Sequence, residues 1–354
     1  FIEAAAKQNY GKFLYGNYPV VVWEPSNQIE IQNVIQVFQN YSVANQHGFR
    51  FSINNDVPQF QIFGNLTNRA WNYRLPQLED HANPHVITLP AKEGNTILVF
   101  SSAPGGPVCH IFHTSRVLSS NLEITNHYQL KEVSAGIKSV NTFPEEDSHI
   151  MIIQDEYGTF YFYIYFENSL KFLRSVQRNA EKSATWKFLQ CSLVKQDNKV
   201  FLAQLVSSDS CHIQLELLQV QTNLPKIDLT LKFSKCLGSI KAKYYSIEDA
   251  TIALVPSDQP SHIRGLVFFT AVNRDLYSLF ASPIDLKFSK DGTFSVTRPT
   301  SEVLEDSFVW IGSAESIHVS SAKYQDTHVI ALVNDRGYCW YSFLNNLKAS
   351  PLLC

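Results

Sequence analysis

Apolar residues fall along this chain in short runs broken by polar turns, and the densest example spans Ile150 to Phe166. There Ile150, Met151, Ile152 and Ile153 lead into the turn Gln154-Asp155-Glu156-Tyr157-Gly158, and Thr159 to Phe166 follows as a run of aromatic and β-branched residues. Such residues pack well on a pleated surface, and Gly158 supplies the positive φ that a tight turn calls for. The pattern therefore predicts a buried β-hairpin. Gly136 to Pro144 reads as one more strand, ending at the acidic turn Glu145-Glu146-Asp147. Strand, turn, strand, Gly turn, strand is the order of a β-propeller blade.

The unit recurs. His328 to Tyr341 aligns without gaps on His149 to Phe162, placing Gly337 on Gly158. Five further hairpins fit the same pattern: Lys12–Tyr15 with Val20–Trp23, Gln59–Phe63 with Ala70–Tyr73, Thr96–Phe100 with Val108–His113, Val200–Val206 with Cys211–Val220, and Leu266–Thr270 with Leu276–Phe280. Seven hairpins in 354 residues give about 51 residues each, a little above the roughly 40–45 of a compact blade repeat. The excess points to insertions. Asn168 fits a helix cap before Leu170, Leu173, Val176 and Ala180, with basic residues on the other side, and Tyr244 to Leu254 fits a second short helix. The reading is an all-β, seven-bladed β-propeller with short helical insertions, a single domain over residues 1–354. Evenly spaced hairpins without long amphipathic helices exclude a parallel α/β fold.

Composition narrows the function. Charged residues make up 17% and aromatics 13%, a balance that favours a large sheet-rich core. A net charge of −3 gives no electrostatic reason to expect nucleic acid. No apolar run approaches the roughly 18 residues of a membrane span. The start, Phe1-Ile2-Glu3-Ala4, has neither an initiator Met nor a signal peptide, which suggests an excised N-terminal piece of a longer chain. Cys109, Cys191, Cys211, Cys236, Cys339 and Cys354 are irregularly spaced, as expected of unpaired thiols in a reducing compartment.

Catalytic signatures are missing from the sequence: no G-x-S-x-G, Walker loop, G-x-G-x-x-G or H-E-x-x-H occurs. Cys109-His110-Ile111-Phe112-His113 resembles a metal-ligand string. On a strand, however, Cys109 and His113 stand roughly 13 Å apart, too far to share a zinc ion, and His110 points to the opposite face. Glu145, Glu146 and Asp147 read as a solvated turn. No catalytic, cofactor-binding or metal site is predicted, and no small-molecule substrate. Trp23, Trp71 and Trp340 fall in strands, where large rings fill the space between blades. None of the five Trp residues precedes Asp, so a propeller here lacks the Trp-Asp repeat signature.

Three stretches carry a family likeness. Phe13-Leu14-Tyr15-Gly16-Asn17 with Val20-Val21-Val22-Trp23 resembles the opening hairpin of the N-terminal propeller in the nucleoporin one-hundred-and-thirty-three family, scaffold proteins of the Y-shaped nuclear-pore coat. Trp71 to Asp80 is similar to that propeller's second-blade exit, and Ile247-Glu248-Asp249 with Leu266–Phe269 and Leu276–Leu279 to a later blade. The resemblance implies a seven-bladed propeller without enzymatic activity, protein partners within a large assembly, a nuclear-envelope location and a role in nucleocytoplasmic transport. In some members one insertion is an amphipathic helix that senses curved lipid, and the matching stretch here is Leu130 to Phe143. Drawn as a helix, Val133, Ile137, Val140 and Phe143 lie with Leu130 in an arc of about 140° and become candidate membrane contacts. The alternative places Ile137 to Pro144 as a strand leading into the Ile150 hairpin, and this is the reading preferred, because a hairpin needs partner strands.

The leading function is thus a non-catalytic scaffold propeller of the nuclear-pore coat. The alternatives are a peptide-binding propeller of another intracellular assembly, such as a transcription or vesicle-coat complex, and an enzyme, which would need inward-facing carboxylates, His or Arg. Fold alone does not rank the first two.

Overall fold

The computed structural model describes strand backbone between residues 13 and 345 and side chains chiefly between 96 and 317. Residues 1–12, 24–33, 38–47, 64–69, 75–81, 91–94, 115–123, 178–186, 290–292, 297–302, 335–338 and 346–354, with a few one- and two-residue loop positions, lie outside the described residues. The chain divides into two compact units, residues 1–140 with 318–354, and residues 141–317.

In the first unit β1 (Phe13–Tyr15) pairs with β2 (Tyr18–Trp23). One sheet follows from β3 (Val34–Val37), β4 (Gly48–Asn54), β5 (Val57–Phe63) and β6 (Ala70–Arg74). Another is built from β7 (Ala82–Pro90), β8 (Asn95–Ala103), β9 (Gly106–Thr114) and β10 (Ile124–Gln129). The second unit carries three sheets. The first is β11 (Ile137–Glu145, which begins in the first unit), β12 (Ser148–Asp155), β13 (Phe160–Phe166) and β14 (Ser169–Val176). The next is β15 (Lys187–Gln196), β16 (Lys199–Ser207), β17 (His212–Asn223) and β18 (Lys226–Ser239). The third comprises β19 (Ser246–Pro256), β20 (His262–Asn273), β21 (Leu276–Phe288) and β22 (Phe294–Val296), then the helix α1 (Leu304–Ser307) and β23 (Val309–Gly312), which returns to pair with β21. Finally β24 (Ile317–Tyr324), β25 (Thr327–Asn334) and β26 (Cys339–Asn345) join the opening strands in the order β1-β2-β26-β25-β24.

The class is all-β, and in four of the sheets antiparallel strands follow one another in sequence, which is the blade unit of a propeller. All seven predicted hairpins form, and the predicted repeat keeps one register where both copies are described. Gln154 lies opposite Phe160 and Val333 opposite Cys339, while His149 faces Tyr165 and His328 faces Leu344. Their number nevertheless misled. The first and seventh hairpins share one sheet through pairs such as Val22 with Trp340. The seven-bladed expectation is therefore corrected: the described strands make six sheets, four of them four-stranded meanders.

The helical insertions are also corrected. Glu167 (φ 44°) and Asn168 (φ 63°) form a two-residue turn with both residues left-handed, the geometry that fits the twist of a hairpin. Ser169 to Val176 then runs back along β13 instead of coiling. Tyr165 donates its hydroxyl to Asn168 Oδ1 at 2.9 Å, so the Asn side chain caps the turn. Tyr244 and Tyr245 lead directly into strand β19. Among the described residues the only helix is α1, a single turn. Leu170 to Leu173 and Ile247 to Leu254 have neighbouring strands to pair with, and pairing overrides a weak helical spacing.

Continuous apolar runs have a clear cause. On β16, Val200 and Leu202 enter a core shared with β11–β14, while Phe201, Ala203 and Leu205 enter one shared with β19–β22. A strand buried on both faces needs no polar alternation.

Candidate functional site

Sheets β11–β14 and β15–β18 face each other across Phe143, Ile150, Ile152, Phe160 and Phe162 on one side and Cys191, Leu202, Leu218, Val220 and Ile227 on the other. At one end the two sheets leave an open cleft of about 530 Å³. Ile164, Phe166 and Leu173 line it from the first sheet, Leu224 and Pro225 from the β17–β18 turn, and Glu146, Asp147, Ser148, Ser169 and Lys171 complete its wall. Phe166 is 45% exposed and Leu224 36%, whereas the rings of Phe160 and Phe162 further in are fully buried.

Turn chemistry holds the cleft open. Glu146, left-handed at φ 51°, makes the β11–β12 turn, and Ser148 donates its hydroxyl to the Glu145 carbonyl at 2.8 Å. Thr222 Oγ1 donates to Glu145 Oε1 at 3.0 Å, tying the turns of the two sheets together across the cleft's end. Further along, Arg174 reaches from β14 to the carbonyl of Ile227 (2.9 Å) and the carboxylate of Asp228. The result is an apolar floor with charges of both signs at the edge.

Buried carboxylates elsewhere hold backbone. Asp155 Oδ1 accepts from the N–H groups of Tyr157 (3.0 Å) and Thr159 (2.9 Å), and its Oδ2 accepts from the Tyr161 hydroxyl (3.0 Å). Asp249 accepts from the N–H of Ala250 at 2.9 Å and of Ile317 at 3.1 Å.

The four candidate membrane contacts do not share an exposed face. Val133 follows a turn and donates its N–H to the Leu130 carbonyl, and Ile137, Val140 and Phe143 lie on β11. Val133, Ile137 and Phe143 are buried and Val140 is half-buried. In the Cys109–His113 string, Cys109 is fully buried in β9, and burial pushes its thiol well up from the usual range. His113 Nδ1 lies 3.0 Å from Thr96 Oγ1, and the ring of His110 stacks on His127 with centroids 6.1 Å apart. Among the described residues no group of three or more His, Cys, Asp or Glu side chains is placed to hold a metal ion. Cys109, Cys191, Cys211 and Cys236 are free thiols. Phe160 and Phe162 are buried as expected, while the side chains of Trp23 and Trp340, together with Gly337, Cys339 and Cys354, lie outside the described side chains.

No family model matches the chain. No curated protein matches it either. Solved structures do. The β-propeller domain of Nup133 from Vanderwaltozyma polyspora shares 10% identity over 94% of this chain and 99% of its own, with a TM-score of 0.49. The GH93 α-L-arabinofuranosidase of Fusarium graminearum, in complex with arabinobiose, shares 10% identity over 89% of this chain and 93% of its own, with a TM-score of 0.50. The WD40 domain of SCAP from fission yeast shares 10% over 93% and 88%, with a TM-score of 0.44. At such identities a likeness is one of fold, and neither reaction nor partner travels with it.

Proposed function

We propose that this chain is a non-catalytic scaffold propeller, one domain over residues 1–354, that serves the coat of the nuclear pore complex at the nuclear envelope. The observation that carries its interaction role is the cleft between β11–β14 and β15–β18. Half-exposed Phe166 and Leu224 flank an apolar floor that an extended partner segment would cover with its own apolar side chains. The nuclear-pore assignment rests on the likeness to coat nucleoporins of Phe13–Asn17 with Val20–Trp23, of Trp71–Asp80, and of Ile247–Asp249 with Leu266–Phe269 and Leu276–Leu279. The alternative is a peptide-binding propeller of another intracellular assembly, which would use the same cleft. The partners in either case are proteins, with no cofactor and no nucleic acid.

The test combines Phe166→Glu with Leu224→Glu in the full-length protein at its native level, followed by purification of the Y-shaped coat. Both positions are partly exposed, so the variant keeps its fold, which circular dichroism checks. Loss of the folded variant from the coat supports both parts of the proposal. A parent that never co-purifies with the coat leaves the alternative, and a variant retained in full removes the cleft from the account. Release of arabinose from arabinobiose by the purified chain would overturn the non-catalytic reading.

A further inference from the structure

β18 is the longest strand among the described residues, 14 residues from Lys226 to Ser239, and it forms the outer edge of its sheet. Among the described residues only β17 pairs along it, apart from one bridge between Ser239 at its far end and Val303. Leu224-Pro225 closes the β17–β18 hairpin, so Asn223 and Lys226 form the first hydrogen-bonded pair, and bonded and non-bonded pairs then alternate. Ile227 opposite Thr222, Leu229 opposite Val220 and Leu231 opposite Leu218 therefore turn their N–H and C=O groups away from β17. The Ile227 carbonyl accepts from Arg174 at 2.9 Å, as an outward group can. Those of Leu229 and Leu231 meet no partner among the described residues, and Leu231 is 45% exposed between exposed Thr230 and Lys232.

The free charges along this edge have one sign. Asp228, the single carboxylate of β18, pairs with Arg174. Lys226, Lys232 and Lys235 are in no ion pair with another described residue. Glu146 and Asp147 of the cleft stand at the Leu224-Pro225 turn, roughly 20 Å along the strand from Leu231. Lys232 is the extra residue of a bulge between Leu231 and Phe233. A bulge and lysines keep like edges from pairing, since two copies of β18 would set ammonium against ammonium. An acidic strand meets the opposite response, because the same lysines attract it. Two other sheets carry a fifth strand, β1 beside β2 and β23 beside β21, so a sheet of this fold accommodates one.

We infer that the Leu229–Lys235 edge of β18 takes an extended acidic segment of a partner protein as a fifth strand. Apolar residues of that segment lie opposite Leu229 and Leu231, and its Asp or Glu residues reach Lys232 and Lys235. The edge is separate from the cleft and works by backbone pairing, so either surface can fail without the other.

Fluorescence anisotropy of an octapeptide alternating Glu and Val tests it. The controls are a Lys-Val octapeptide and the Glu-Val peptide N-methylated at its valines, which removes the donors that would face β18. The Glu-Val peptide should bind about tenfold more tightly than either control. Lys232→Glu with Lys235→Glu should cost about tenfold in affinity, with circular dichroism confirming the fold. Hydrogen exchange at saturating Glu-Val peptide should slow about tenfold at the Leu229 and Leu231 amides of the parent protein. Equal binding of the N-methylated peptide would remove backbone pairing and overturn the inference, as would equal binding by parent and charge-reversed protein or no binding at all. Protection around Phe166 and Leu224 in place of Leu229 and Leu231 would put the peptide in the cleft and likewise overturn it.

Discussion

Phe188 lies so close to Gly158 that a Cβ on the glycine would stand 2.5 Å from its ring. Gly158 closes the β12–β13 hairpin at φ +80°, and Phe188, 5% exposed, comes from β15 of the adjoining sheet. One residue thus serves two needs: a left-handed turn, and room for a neighbour's aromatic ring.

Gly158→Ala should therefore destabilise the protein by roughly 2–4 kcal/mol, combining left-handed strain with overpacking. Phe188→Leu on its own should cost less, and in the double variant it should recover part of the alanine's penalty. Denaturant titration of the four proteins measures the coupling. Strict additivity would show that the contact is not felt.

Asp155 holds the same turn from below, with three hydrogen bonds to a carboxylate that is 1% exposed. Asp155→Ala strands two backbone N–H groups and a tyrosine hydroxyl, an expected loss of about 2–4 kcal/mol. Asp155→Asn keeps one acceptor oxygen and should fall between. Chemical denaturation with both variants is the check, and an alanine variant as stable as the parent would contradict the cap.

His149, at the start of β12, has its pKa lowered from 6.5 by burial. The folded state resists protonation while the unfolded chain does not. Stability from this residue is full above about pH 6.5 and is lost as the pH falls from there through the lower folded value. His149→Gln should flatten the dependence of stability on pH between about 7 and 5. An unchanged slope would assign the acid sensitivity to other groups.

The β11 strand carries a prediction about membranes. Because Val133, Ile137 and Phe143 are buried, the chain should not float with small, highly curved neutral liposomes. Flotation with native circular dichroism, abolished by a substitution at half-buried Val140, would restore a lipid-sensing role to this stretch.

Much of the architecture could be read from residue pattern. Alternating and continuous apolar runs locate all seven hairpins, and the repeat of His149–Phe162 in His328–Tyr341 agrees pair for pair where both copies are described. The blade count was not legible. Pairing of Val20–Trp23 with Cys339–Ser342 joins segments some 320 residues apart, and no local pattern records it. Asn168 was misread because a left-handed turn and a helix cap favour the same residue. The cleft was hidden for a similar reason. Phe166 and Leu224 are unremarkable in sequence and become neighbours only once two sheets have formed.

Site-specific photocrosslinking tests the central claim most directly. A benzoylphenylalanine placed at Phe166, in the cleft, is compared in living cells with one at Tyr157, which is 60% exposed on the β12–β13 turn. The cleft probe should give a discrete adduct with a subunit of the nuclear-pore coat, and the Tyr157 probe should not. Adducts with the same proteins from both positions, or none from the cleft, would contradict the account.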